Sequence, residues 1–407
     1  MKRNYKSNRE MAAIPAVWSF ANRAFTVRVP LLCVAIVLLV TGACSAALAQ
    51  DWVTLGKAGF SKGDVDYLSM AIDKSGTPYV VYSDEGDGSK ASVMKFNGSS
   101  WVTVGKGGFT PGSAGYTSIA IDDNGAPYVV FQDGTNGSKA SVMKFSGGSW
   151  VGVGRPGFSA GGTGGCSILI HEKAPYVVYA DNTNNNKAVV MTYNGKDWAP
   201  VGNPGFSAGQ TWETSIAMDK SGTPYVLYLA GGIDGPAVVQ KFSGGMWAPV
   251  GNGGLTTGVV KYATMALDKN GAVYVVSSGG LKPAKAEPGA SFSSQEGIPA
   301  SVMKFNGSKW VTIGDLGTST NDLISIATDA NGVPYVTYVD FGKMVVKKYN
   351  GTSWEQAGND NAAQGVTPNI TIDQHGTPYL FFKDGTGDAM NKATVMKLSA
   401  GNAVHKQ

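Results

Sequence analysis

Six side chains lie at or beside one loop position that recurs along the chain: Asp66, Tyr67, Tyr116, Trp212, Glu213 and Tyr262. Three copies place a tyrosine there, whereas a fourth places Glu213 there, directly after Trp212. An aromatic ring beside a carboxylate on a loop can stack on a sugar ring and accept hydrogen bonds from its hydroxyl groups. These six residues form the predicted ligand-binding site. Packing of the loop aromatics on a neighbouring repeat is the alternative.

The same loops contain few groups that could catalyse a reaction. A glycosidase needs two carboxyl groups at a defined separation. Only Asp64, Asp66 and Glu213 are candidates, because nearly every other acid falls in a turn or hairpin of the repeat. We therefore predict no catalytic residue and a protein that is not an enzyme, with an exported glycan lyase or glycosidase as an alternative.

The chain shows no pattern of metal ligands. Its histidines, His171, His375 and His405, are far apart in sequence and lack the spacing of a zinc site. The acidic hairpin 84–87 lacks the ordered ligand spacing of a calcium loop. Cys166 is the single cysteine after residue 49 and precedes an apolar run, which is typical of a small buried residue. We expect no disulfide, no metal and no cofactor.

Acidic and basic residues recur on either side of one hairpin. Aspartates end the second strand-like run of several repeats, and lysines begin the third: Asp84, Asp133, Asp181, Asp340 and Asp384, with Lys90, Lys139, Lys187 and Lys392. The pattern predicts exposed cross-strand ion pairs that each stabilise the fold by less than about 1 kcal/mol.

A repeat positions all of these groups. Tryptophan recurs at intervals of 49, 49, 48, 49, 63 and 44 residues: Trp52, Trp101, Trp150, Trp198, Trp247, Trp310 and Trp354. Each repeat contains four short runs rich in Val, Ile, Tyr and Phe and bounded by Gly, Asn, Asp and Pro, which is the pattern of β-strands. Turns such as 73–76 and Asn97-Gly98 predict hairpins between these strands.

Counting the strands predicts an all-β fold, a seven-bladed β-propeller over residues 50–407 with four antiparallel strands per blade. The last repeat lacks its Trp strand, and Trp52 begins an unmatched strand at the other end. Pairing of the N-terminal strand with the last blade would close the ring and remove an exposed sheet edge. An open solenoid is the alternative. An insertion at about 279–297 enlarges the fifth repeat and is a candidate for the binding face, with a tolerated surface loop as the alternative.

The repeat resembles the kelch and NHL classes of propeller repeat. Kelch-like features are the pairs Gly231-Gly232 and Gly279-Gly280 and the Trp that begins each fourth strand. The NHL-like feature is the phrase Ile-Asp-Lys-Ser-Gly-Thr-Pro-Tyr-Val at 72–80. The chain is also similar to propellers common in secreted bacterial proteins of unassigned role. This resemblance implies a fold and leaves the activity open.

The charge balance argues against a nucleic-acid partner. Of 33 basic and 29 acidic residues, six basic residues and one acid lie in 1–49, which leaves 27 and 28 in the rest of the chain. Proteins that bind nucleic acid carry a clear basic excess.

Residues 1–49 have the pattern of an export signal. A basic region ends at Arg28, an apolar run follows over 29–40, and small residues lead to Ala49, after which we predict cleavage. A lipoprotein signal at Cys44 and an uncleaved anchor are alternatives. Cleavage would leave a secreted, periplasmic or cell-surface protein without a membrane span.

These features together predict an exported, monomeric binding propeller. Its partner would be a glycan or an envelope or extracellular protein, bound by loops on one face. The alternatives are a structural platform in an envelope complex and the exported lyase or glycosidase described above.

Overall fold

The computed structural model describes residues 50–232, 235–251, 255–256, 259–279, 298–319, 323–359 and 362–399. The predicted signal at 1–49, nearly all of the predicted insertion and His405 lie outside the described residues. Among the described residues, no helix has the length and apolar character needed to cross a membrane.

Antiparallel strands are the main secondary structure of the described chain, which is an all-β β-propeller. Five sheets have four strands each, in the order of the sequence: β2 (Val65–Ile72), β3 (Pro78–Asp84), β4 (Lys90–Phe96) and β5 (Trp101–Thr103); β6 (Ala114–Ile121), β7 (Pro127–Asp133), β8 (Lys139–Ser146) and β9 (Ser149–Gly152); β10 (Thr163–His171), β11 (Ala174–Asp181), β12 (Lys187–Tyr193) and β13 (Trp198–Pro200); β14 (Thr214–Met218), β15 (Pro224–Leu229), β16 (Ala237–Ser243) and β17 (Met246–Pro249); β18 (Val260–Leu267), β19 (Val273–Gly279), β20 (Ile298–Phe305) and β21 (Trp310–Ser319).

The remaining eight strands form one continuous sheet. Its members are β1 (Trp52–Thr54), β22 (Ile324–Thr328), β23 (Pro334–Asp340), β24 (Lys343–Tyr349), β25 (Trp354–Gln356), β26 (Ala363–Ile372), β27 (Pro378–Asp384) and β28 (Ala393–Leu398). Short 3-10 turns follow four of the second strands, at η1 (Glu85–Asp87), η2 (Gly134–Asn136), η3 (Asn182–Asn184) and η4 (Gly387–Ala389).

The propeller has five four-stranded blades, so the prediction of seven is wrong. The finding that overturns it is a pairing between β24 and β26, in which Lys343 lies opposite Gln364 and Met344 opposite Ala363. This pairing joins the last two repeats into the eight-stranded sheet. The physical cause is a short connection, because only the residues between Gln356 and Ala363 separate β25 from β26 and the Gly-Phe loop of earlier repeats is missing there.

The two ends of the described chain meet in this sheet. Strand β1 pairs antiparallel with β28, with Trp52 opposite Leu398. The first strands of successive repeats also contact one another, and β26 contacts β2, so these inner strands form a closed ring. Closure pairs the edge that the last strand would otherwise expose, which protects it from association with other chains.

The hydrophobic core lies between neighbouring sheets. Second strands are buried along their length, as in β3, where all seven residues are buried. One cluster packs Val80 and Tyr82 of β3 against Phe381 of β27 and so connects the beginning of the ring to its end. Second strands therefore need apolar residues on both faces, which accounts for their continuous Val, Tyr and Phe runs.

Each recurrent tryptophan binds to the preceding repeat. Trp101 donates its indole N–H to the carbonyl of Leu55 at 2.7 Å, and Trp52 donates to Ala357 at 2.8 Å, which continues the series across the junction of the chain ends. The others donate in the same way at 2.7 to 3.1 Å: Trp150, Trp198, Trp247, Trp310 and Trp354. Four loop phenylalanines stack on these rings: Phe60, Phe109, Phe158 and Phe206. These aromatic residues hold adjacent repeats together.

Three of the aspartates predicted to form exposed ion pairs are instead buried and cap the short 3-10 turns η1, η2 and η3. Asp84, Asp133 and Asp181 are each 1% exposed. Asp133 accepts hydrogen bonds from the backbone N–H of Thr135 at 3.0 Å and from the Ser141 hydroxyl at 2.8 Å. A short 3-10 turn leaves N–H groups without helical partners, and a buried carboxylate that accepts them is more strongly held than an exposed ion pair. Among the described residues, the ion-pair prediction is wrong for these three aspartates.

Candidate functional site

A cavity of about 640 Å³ lies where the inner strands begin. Its walls come from β2, β6, β10, β18, β22 and β26 and from the start of β14. Because each wall comes from a different part of the inner ring, the cavity is the mouth of the propeller's axial channel. We call it the axial cavity. Concave sites of this size commonly hold small ligands or parts of larger ones.

Bulges aim side chains at the axial cavity. Pairing between β2 and β3 shifts register between Asp66 and Ser69, and the corresponding shift in β6 lies between Gly115 and Ser118. Within these bulges Tyr67 has a φ of 53° and Tyr116 a φ of 48°. Bulky residues rarely adopt positive φ, and such conformations concentrate at functional sites. The Thr117 hydroxyl donates to the Tyr67 carbonyl and so links one bulge to the next repeat.

Two tyrosines form an open pair at the cavity mouth. The rings of Tyr67 and Tyr116 have centroids 5.0 Å apart and planes inclined by 45°. Tyr67 is 46% exposed. Tyr262 also lines the axial cavity, where burial raises the pKa of its hydroxyl, with a further contribution from the Glu213 charge. All three tyrosines present aromatic faces together with hydroxyl groups.

Glu213 contributes a carboxylate that has no partner within the described part of the chain. It lines the axial cavity, is partly buried, and forms no side-chain hydrogen bond or ion pair with the described residues. Burial raises the pKa of this carboxyl group. The Glu213 charge also raises the pKa of Tyr116, after the larger effects of burial and of Tyr67. Glu213 is therefore electrostatically coupled to tyrosines on both sides of it.

Asp66 lines the same cavity but has a counter-ion. Its carboxylate lies 3.3 Å from the ammonium group of Lys383. The side chain of Asp66 is 52% exposed, whereas that of Lys383 is 18% exposed. The two acids among the described lining residues therefore differ. Lys383 neutralises the charge of Asp66, whereas Glu213 has no counter-ion among the described residues.

Trp212 lies beside the axial cavity and does not line it. The ring is 41% exposed. It lies against Gly164 and Gly232, and a side chain at either position would contact it. The structure therefore brings five of the six predicted residues to one cavity, with Trp212 at its edge, and their role in binding stays a prediction.

A ring of small polar side chains lines the cavity below the tyrosines. Its members occupy equivalent positions on the inner strands: Ser69, Ser118, Ser167, Ser215, Thr264, Ser325 and Asn369. Some of them also connect repeats, since the Ser69 hydroxyl accepts the N–H of Ile119 at 3.2 Å and Ser325 accepts that of Ile370 at 3.2 Å. The sequence analysis did not predict this ring. The Ser or Thr found at this strand position in most repeats could have indicated it.

The remaining candidate groups are possible metal ligands and the thiol of Cys166. Among the described residues, no three His, Cys, Asp or Glu side chains are grouped closely enough to hold a metal ion. Cys166 is 8% exposed. Burial raises the pKa of its thiol to about 12, and a weak contact with the Thr163 hydroxyl lowers it slightly. A thiol with this pKa stays protonated and unreactive near neutral pH.

Comparison with known proteins identifies the fold and no family. No family model matches the chain, and no curated protein matches it. A polysaccharide lyase of family PL25, an ulvan lyase bound to -[GlcA(1-4)Rha3S]-, is similar with a TM-score of 0.55 and 11% identity over 86% of this chain and 98% of that one. YCF48 bound to D1 peptide has a TM-score of 0.53 and 12% identity over 88% and 97%.

A further similar structure is YCF48 from Cyanidioschyzon merolae, with a TM-score of 0.53 and 11% identity over 86% of this chain and all of that one. At such identities the likeness shows the β-propeller fold alone. The kelch-like and NHL-like repeat type stays a prediction.

Proposed function

We propose that this chain is an exported, non-enzymatic binding protein that holds part of a glycan in its axial cavity. The observation that carries the proposal is the convergence of Tyr67, Tyr116, Tyr262 and Glu213, from four different repeats, on one polar cavity. Tyrosine faces stack on sugar rings, and carboxylate and hydroxyl groups exchange hydrogen bonds with sugar hydroxyls.

The composition of the walls favours a glycan over a protein segment. Protein-binding surfaces usually bury an apolar centre, whereas hydroxyl and amide side chains such as Ser69, Ser118 and Asn369 encircle this cavity. A sugar can use these groups from several directions at once. Envelope or extracellular proteins remain the second partner class, through the loops around the cavity.

Binding without catalysis is proposed because the described lining residues include one unpaired acid. Glycoside hydrolysis needs an acid and a second carboxylate acting together. Asp66 is already paired with Lys383, which leaves Glu213 as the unpaired acid among the described lining residues. Export remains part of the proposal on the pattern of residues 1–49 alone.

A glycan array followed by calorimetric titration tests the proposal. We expect saturable binding of a glycan, and about tenfold weaker binding for Tyr67→Ala, because loss of an aromatic contact costs about 0.5 to 1.5 kcal/mol beyond the lost area. Met246→Ala removes a side chain that is 64% exposed and lies outside the cavity, so it is the control. Equal losses in both variants, or folded protein that binds no glycan, would contradict the proposal.

A further inference from the structure

We infer that the glycan bound in the axial cavity carries a free amino group, and that Glu213 binds this group as an ammonium ion. The inference rests on the proposed function and narrows it to one substrate class, the amino sugars. It is carried by the charges of the cavity wall and by the surroundings of Glu213.

The charges of the wall select against acidic glycans. The described lining residues include Asp66 and Glu213 and no Lys, Arg or His. Because Lys383 neutralises Asp66, the net charge that the described lining residues present to the ligand is that of Glu213. A uronate or a sulfate placed here would meet a like charge in a partly desolvated site, and like-charge contacts of this kind reject a ligand.

The surroundings of Glu213 favour the binding of a cation. It is partly buried and has neither a hydrogen-bond donor nor a counter-ion among the described residues. A desolvated carboxylate without a partner is unfavourable. An ammonium group from the ligand would remove this cost, whereas a neutral sugar hydroxyl would do so only in part, because hydrogen bonds between charged groups are the stronger ones.

The tyrosines support the same ligand chemistry. Glu213 lines the same cavity as Tyr116 and Tyr262, which other repeats contribute, and its charge acts on both hydroxyl groups. Aromatic faces attract cations through their ring quadrupole, most strongly when the cation is desolvated. The sugar hydroxyls would then face the ring of serine, threonine and asparagine side chains.

Matched sugar pairs test the inference by calorimetry on the full chain. The probes are short oligosaccharides of glucosamine and of galactosamine, each compared with its N-acetylated form of equal length, and an oligogalacturonate as the acidic probe. Acetylation removes the charge and leaves the ring and its hydroxyls. We expect one amino form to bind at least about tenfold more tightly than its acetylated partner, and the oligogalacturonate to bind most weakly.

Two variants test whether Glu213 causes the preference for the amino form over the acetylated form. Glu213→Gln keeps the size of the side chain and removes its charge, so we expect the amino and acetylated forms to bind within about twofold of each other. Glu85→Gln removes a charge of the same kind from the exposed η1 turn, outside the cavity, and should leave the preference unchanged. Thermal unfolding of each variant confirms that it is folded.

The outcomes separate the inference from the proposed function. Equal binding of amino and acetylated forms, or a preference that persists in Glu213→Gln, overturns the inference and leaves glycan binding intact. Folded protein that binds none of these probes and no glycan on the array overturns both.

Discussion

The outer and inner aromatic residues of this propeller have different tasks. The outer tryptophans recur in every repeat, donate to a neighbouring carbonyl and in several cases stack on a loop phenylalanine. The inner tyrosines occur in some repeats only, and Tyr67 and Tyr116 form an open pair in strained bulges at a cavity. The comparison indicates that aromatic residues shared by all repeats build the scaffold, and those that vary are candidates for binding.

The largest expected effect is on the scaffold. Trp101→Ala removes a ring that is 8% exposed, together with its stack on Phe60 and its bond to Leu55. We expect the free energy of unfolding to fall by about 3 to 5 kcal/mol. Urea unfolding followed by circular dichroism measures the loss. A loss below about 1 kcal/mol would show that the outer ring does not hold the repeats together.

A smaller effect is expected at the buried turn caps. Burial alone would raise the pKa of Asp133, but hydrogen bonds from Thr135, Ser141 and Asn136 outweigh it and lower the pKa. A carboxyl group with a lowered pKa in the folded state stabilises the fold above its unfolded pKa and loses this effect as the pH falls through the folded value.

Asp133→Asn should therefore reduce the free energy of unfolding by about 1 to 3 kcal/mol at pH 7. The difference from the natural chain should shrink as the pH falls below 3.8 and through the lowered pKa of Asp133, because protonation removes the charge of this carboxyl group. Urea unfolding at several pH values checks this. A difference that does not change with pH would show that the charge of Asp133 has no role.

The next effect concerns binding at the inner site. Burial raises the pKa of Glu213 above its ordinary value of 4.5. This side chain therefore becomes protonated, and loses its charge, at a higher pH than an exposed glutamate. Tyr116, Tyr262 and the Cys166 thiol face the same cavity with raised pKa values and stay neutral, and Asp66 is paired with Lys383. Once the amino group of the sugar is fully protonated, affinity for it should fall as the pH is lowered further through the raised pKa of Glu213. Glu213→Gln should bind with the same affinity across this range, and a matching fall in that variant would contradict the assignment.

The smallest effect is expected at the edge of the cavity. Trp212 does not line the cavity, is 41% exposed and rests on glycines, in contrast to Tyr67. Trp212→Ala should change stability by about 0.5 kcal/mol or less, as is usual for surface positions. Its loss of glycan affinity should be smaller than that of Tyr67→Ala, and calorimetry on both variants ranks them. The reverse order would move the site from the cavity to the loops around it.

Local patterns predicted much of the fold. Strand periodicity, the Asp-to-Gly turns and the unmatched Trp52 strand are properties of short segments, and the pairing of β1 with β28 follows from them. The union of the last two repeats into one sheet depends on how a shortened loop brings Ala363 to Met344, which strand patterns do not encode. The role of Asp133 was misjudged because an ion pair with a lysine across the hairpin and a cap on a 3-10 turn are both compatible with the same sequence pattern.

The site was predictable in part. Tyr67, Tyr116 and Glu213 stood out because they vary at an otherwise regular position. The polar ring that includes Ser69 and Ser325 was not predictable, because its members meet only when the inner strands close around the axis. That Glu213 has no partner among the described residues likewise depends on three-dimensional surroundings, which spacing along the chain does not show.

A crystal structure of the chain with a glucosamine oligosaccharide tests the central claim most directly. We expect a sugar ring to lie against Tyr67 or Tyr116, with its ammonium group within hydrogen-bond distance of the Glu213 carboxylate. A sugar bound on the outer surface beside the Trp strands, with the axial cavity free of it, would contradict the account.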